Sequence, residues 1–112
     1  MPFVLFMLIV LTTISGSEEA ESLAQKIVEA RLAACVQILP PMTSVYFWKD
    51  AIQKDSEVLL LIKTLPETYD RLEKFIGENH PYEVPEIVAV SAEKVSANYL
   101  EWMKNYLEME NE

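Results

Sequence analysis

A chain of 112 residues has room for one domain, taken as residues 1–112, and no room for two. Its formal net charge of −9, from 18 acidic and 9 basic side chains, repels phosphate backbones and speaks against nucleic acid as a partner. Hydrophobic residues at 51% and charged residues at 24% are a globular balance, and the single cysteine, Cys35, rules out an intrachain disulfide and fits a reducing compartment.

The chain opens on an apolar run from Phe3 to Leu11, too short to span a bilayer, which takes roughly 20 residues. No Lys or Arg precedes the run and no Ala-x-Ala site follows it. It is therefore read as a buried first strand behind an N-terminal extension of residues 1–6, not as a signal peptide, and the protein as cytoplasmic with no membrane partner. Met7 is an alternative start, leaving Leu8 to Thr13 as a strand of ordinary length.

Ser15, Gly16 and Ser17 end this strand, and Ser17 is a good N-cap for a first helix. Glu18, Glu19 and Glu21 fall where the helix dipole favours anions, and Lys26 and Arg31 where it favours cations. Ala20, Ala24, Ile27 and Arg31 repeat at helical spacing, with Leu23 and Val28 beside them. Next come Ala34 to Leu39 and Thr43 to Trp48, a long second strand interrupted by Pro40-Pro41. Proline cannot donate to a ladder, so the pair implies a bulge, a bend or an edge. Lys49-Asp50-Ala51 is a hairpin turn with Asp50 as its left-handed residue. The third strand runs from Ile52 to Lys63, and its apolar stretch Val58 to Ile62 lacks alternation, as in a strand buried on both faces.

Thr64 and Glu67 have capping-box spacing for a second helix, with Pro66 in the first turn and Leu65, Tyr69, Leu72 and Ile76 as its stripe. Gly77 and Pro81 mark its end. Glu86 to Ser91 forms a fourth strand. A third helix begins at Ser96, with Leu100, Met103 and Leu107 inward, and a frayed tail occupies residues 108–112.

The order β-α-β, β-α-β plus a helix predicts an α+β, ferredoxin-like split βαβ fold, an antiparallel sheet with helices on one face. The second and third strands are long for so small a sheet. Their overhang carries Val45, Tyr46, Phe47, Trp48 and Ile52, an apolar hairpin that needs a cover. The simplest cover is another copy of the chain.

Three segments are also familiar in their order and spacing: Ala30-Arg31-Leu32-Ala33-Ala34-Cys35-Val36, Asp55-Ser56-Glu57-Val58-Leu59-Leu60-Leu61-Ile62-Lys63-Thr64, and Asn79-His80-Pro81-Tyr82-Glu83-Val84-Pro85-Glu86-Ile87. With Thr43-Ser44-Val45-Tyr46 and Tyr99-Leu100-Glu101-Trp102, the stretch from about Leu8 to Trp102 closely resembles the CutA divalent-cation-tolerance family. The resemblance implies a compact homotrimer whose long hairpins reach across neighbouring subunits, and an association with tolerance to copper and other divalent metals. The chain departs from the family pattern in having Asp50 and Ala51 near a turn that usually holds glycine, Pro41 where glycine often precedes the Thr-Ser pair, and the extension of residues 1–6.

His80, the only histidine, is a candidate ligand for Cu(II) or Zn(II); alternatively its ring satisfies a backbone carbonyl in the turn. Cys35 is a candidate soft ligand for copper, or a small buried hydrophobe. Glu83 and Glu86 lie in the same loop as His80 and add carboxylates to a divalent-metal site, or else act as cap and salt-bridge partners, with Lys63 as one option. A site built from these residues needs ligands from two subunits or from nearby carboxylates. Cu(II) or another divalent cation, weakly bound, is accordingly the expected cofactor.

Tyr46, Trp48, Tyr82 and Trp102 line either a small-molecule cleft or an oligomer interface. Catalysis has little support: one histidine serves the whole chain, and two glycines cannot build a phosphate loop. The alternatives to a metal-linked homotrimer are a small-ligand sensor, by fold analogy with the trimeric PII nitrogen-regulatory proteins, and a structural trimer that anchors partners.

Overall fold

The computed structural model describes residues 6–109; the predicted extension before residue 6 and the end of the tail, residues 110–112, lie outside the described residues. The elements are β1 (Met7–Ile14), α1 (Ser17–Glu29), β2 (Cys35–Ile38), β3 (Met42–Trp48), β4 (Ala51–Thr64), a short 3-10 turn (Pro66–Thr68), α2 (Tyr69–Asn79), β5 (Val88–Ala92) and α3 (Ala97–Leu107).

The sheet runs β2-β4-β1-β5, with β3 added to the free half of β4, and every pairing is antiparallel. This is the ferredoxin-like arrangement the element order predicts. Pro40 and Pro41 fall outside both ladders, so the expected single long strand is two strands that share β4 as their partner. Both β2 and β3 lie at an edge, where a missing N–H is tolerated.

Alternation along the strands divides the core in two. Val10 and Ile14 of β1 and Val58, Leu60 and Ile62 of β4 face α1 and α2, where they meet Leu23, Ala24, Ile27, Leu72 and Ile76. The intervening Met7 and Ile9 face the opposite side and pack with Leu65, Leu100 and Met103 beneath α3. The two main helices thus share a face, while the C-terminal helix covers part of the other.

Local chemistry accounts for the helix boundaries. Gly16, not Ser17, occupies the N-cap of α1 and makes no side-chain cap, while Ser17 is the first helical residue. Ser96 caps α3 as expected, its hydroxyl accepting from the Tyr99 amide at 3.3 Å. Thr64 departs from its predicted role. It is the last residue of β4, fully buried, and its hydroxyl donates to the Leu32 carbonyl at 2.8 Å. A tertiary hydrogen bond has claimed the side chain, and α2 starts only at Tyr69, after the 3-10 turn. The fourth strand likewise starts two residues late, at Val88, and ends at Ala92.

In the hairpin, Trp48 pairs with Ala51, leaving Lys49 and Asp50 as a two-residue turn. Both carry positive φ, 49° and 64°, the signature of a type I′ turn. The register puts Ser44, Tyr46 and Trp48 on one side with Gln53, Asp55 and Glu57, and Phe47 and Ile52 on the other.

Candidate functional site

The inner side of the hairpin faces the loop between α2 and β5, and together they enclose a cleft of about 570 Å3. Tyr46 and Trp48 of β3, Glu57 of β4, and Tyr82, Glu83 and Glu86 of the loop line it. Three of the four aromatics expected at either a cleft or an oligomer interface therefore line it. Trp102 is not: it lies exposed on α3 beside Tyr99, the rings 5.5 Å apart.

The loop is fastened to the sheet by His80. A backbone amide only donates and a carbonyl only accepts, so the contacts fix the imidazole's protons. The Tyr82 amide donates to Nδ1 at 3.1 Å, and Nε2–H donates to the Thr13 carbonyl at 2.8 Å. The ring is buried and packs edge-on to Tyr82, centroids 4.6 Å apart. Both nitrogens are engaged, which is the structural alternative for this residue; a metal reaches Nδ1 only if the Tyr82 amide lets go.

Tyr82, positioned this way, reaches across the cleft and donates its hydroxyl to Glu57 at 2.7 Å. Burial, then the hydrogen bond to Glu57 and that residue's charge, push the Tyr82 phenol well above the usual tyrosine range. Tyr46 donates to Asp55, and this bond, followed by burial and the charges of Asp55 and Glu57, raises the Tyr46 phenol as well.

The four expected metal ligands do not come together. Glu83 and Glu86 share the cleft, and His80 anchors its loop from behind. Cys35 sits in β2, opposite Lys63 in the ladder. It lies against Tyr99, whose phenol is raised by burial first and by the thiol second. Lys63 stands over the Tyr99 ring at 5.7 Å. Among the described residues, no group of three or more His, Cys, Asp or Glu side chains is arranged to hold a metal ion. The described residues of one chain therefore do not by themselves make a metal centre.

Sequence reasoning missed Glu57 as a site residue. A glutamate next to an apolar run reads as the solvent face of a strand, and no local spacing links it to Tyr82, 25 positions away.

With this geometry in place, comparison with known proteins is decisive. The model of the CutA1 divalent ion tolerance protein family matches residues 8–106. The chain belongs to the CutA family. The divalent-cation tolerance protein CutA of Thermus thermophilus is 42% identical over 96 residues, covering 86% of this chain and 93% of that protein. Its solved structure superposes with a TM-score of 0.86 at 40% identity, over 89% of this chain and 97% of the other. The chloroplastic CutA of Arabidopsis thaliana is 43% identical over 88% of this chain but 54% of its own, so the chain spans about half the length of that relative. A structure described as the periplasmic divalent cation tolerance protein CutA of Archaeoglobus fulgidus gives a TM-score of 0.88 at 29% identity, over 91% of this chain and 99% of that one. CutA proteins thus carry different compartment names. Among the described residues of this chain, no helix is long and apolar enough to cross a membrane.

Proposed function

We propose that this CutA protein is a homotrimer that takes up Cu(II) or a related divalent cation weakly and serves the cytoplasmic response to metal ions as a binding protein, not as an enzyme. The observation that carries the assembly is the outer side of the hairpin, where Val45, Phe47 and Ile52 are 61%, 65% and 68% exposed. So much apolar surface on a projecting hairpin calls for a cover, and a second copy supplies one of matching character. Val88 and Val90 of the edge strand β5 are bare as well and extend the surface available to a neighbour.

Metal uptake is supported by the family and by the carboxylates of Glu83 and Glu86 in one cleft, oxygen donors suited to divalent cations. Because the described residues of one chain do not gather a full ligand set, the reading draws further donors from a neighbouring copy, and it makes the ion a cargo. The binding role is favoured over catalysis because the single imidazole has both nitrogens committed to backbone groups, which leaves it no free lone pair for general-base work.

Native mass spectrometry with and without stoichiometric Cu(II) tests the proposal. A trimer that gains discrete copper ions, fewer of them in Glu83→Gln/Glu86→Gln, is the expected result. A trimer with only the diffuse adducts of an acidic protein contradicts the metal role, and a monomer contradicts the assembly.

A further inference from the structure

The cleft holds a buried carboxylate whose charge no basic side chain among the described residues is seen to neutralise. Glu57 is only 7% exposed. Its hydrogen-bond donor is the Tyr82 phenol, and among the described residues no Lys, Arg or His side chain is paired with it. A phenol is neutral, and burying a carboxylate is costly unless a counter-charge meets it. The position for that counter-charge opens into the cleft, because Glu57 lines it together with Tyr46, Trp48 and Tyr82.

The character of the space decides which cation fits. Its volume of about 570 Å3 lies within the roughly 300–1,000 Å3 of small-molecule sites, far more than one ion needs when its ligands stand about 2.0–2.6 Å away. Aromatic faces attract cations through the ring quadrupole and also accept an alkyl stem, as a bare hydrated ion does not require. Glu83 and Glu86 add negative charge to the same space. Phe47 and Ile52, the larger part of the bare apolar surface, project from the opposite side of the hairpin, while Val45 borders the cleft as well.

We infer that the cleft binds a small organic cation, an alkylammonium whose head group pairs with Glu57 and whose stem lies against Trp48 and Tyr46. This ligand is distinct from the metal ion proposed above, and its recognition rests on Glu57 and the rings, not on a coordination set.

The chain carries its own reporter, because Trp48 lines the cleft and Trp102 stands outside it. The test is NMR of the two indole N–H signals in the full-length protein, titrated with butylammonium at physiological salt. Butanol serves as the neutral isostere and Mg2+ as the bare cation. Butylammonium is expected to move the Trp48 signal saturably and leave Trp102 in place, and butanol and Mg2+ are expected to move neither signal. Glu57→Gln is expected to weaken binding about tenfold, the loss of one charge-assisted contact. Trp48→Leu, on the exposed hairpin and harmless to the core, is expected to weaken binding as read by calorimetry, and Glu101→Gln on α3 to leave it unchanged.

Equal shifts at both tryptophans, a response of Trp48 to Mg2+ that matches the amine, or undiminished binding in Glu57→Gln each overturn the inference. So does a wild-type protein that never binds butylammonium while Glu57→Gln weakens its assembly, which gives the counter-charge to a neighbouring copy. Copper adducts in the mass spectrum are read separately, so the metal proposal and this one fail independently.

Discussion

Strand β4 passes through two environments. From Val58 to Thr64 it lies between β1 and β2, and Val58, Leu60, Ile62 and Thr64 are sealed beneath α1 and α2. From Ala51 to Ser56 it is held by β3 alone, and Ile52 projects bare. The first half is anchored within the chain, because Val58, Leu60 and Ile62 belong to the main core. The second has satisfied its backbone but not its side chains, so its stability as a surface depends on something outside the chain. One strand thus carries both the fold and the bare surface on which the proposed assembly rests.

The largest effect is expected in the sealed half. Leu60→Ala removes a side chain with no exposure from the main core and should cost about 2–5 kcal/mol in urea unfolding. The matching change in the projecting half, Ile52→Ala, should leave the fold's own stability within about 0.5 kcal/mol. Ile52→Asp should instead lower the assembly state in sedimentation with the far-UV spectrum intact. Equal unfolding costs at positions 52 and 60 would break the contrast.

Where the halves meet, Tyr82→Phe leaves Glu57 without its donor and should cost about 1–3 kcal/mol. The pH dependence sharpens the point. The Tyr82 phenol is raised in the folded state from the ordinary value of 10.0, so the folded state keeps its proton after the unfolded state has lost it. That contribution is complete below about pH 10 and is lost progressively above it, as pH climbs toward the folded value. Urea titrations at rising alkaline pH should show a steeper decline for wild type than for Tyr82→Phe. Parallel curves would remove Tyr82 from the account; the other raised phenols, Tyr46, Tyr69 and Tyr99, are common to both proteins.

Smaller effects belong to the chain's punctuation. Ser96→Ala should cost about 1 kcal/mol through loss of the α3 cap. Asp50→Gly should be neutral or stabilising by up to about 1 kcal/mol, since a left-handed φ of 64° strains a side-chain-bearing residue.

The same division explains what the sequence could disclose. The element order, the two main helices and the uncovered hairpin were readable because periodicity, turn residues and unmatched apolar side chains are local signals. Thr64 was misread as a cap because its actual partner, the Leu32 carbonyl, lies 32 residues away. Lys49 escaped as a second left-handed residue because the strand register, not its own side chain, imposes that conformation. At the candidate site, the loop carboxylates Glu83 and Glu86 and the aromatics Tyr46, Trp48 and Tyr82 were visible by residue type. Glu57 became visible only once folding carried it to Tyr82.

Sedimentation equilibrium of the full-length chain at micromolar concentration tests the central claim most directly. The account expects a single species at three times the 12.8 kDa chain mass, converted toward smaller species by Ile52→Asp. A stable wild-type species at the mass of one chain, with Val45, Phe47 and Ile52 open to solvent, would contradict it.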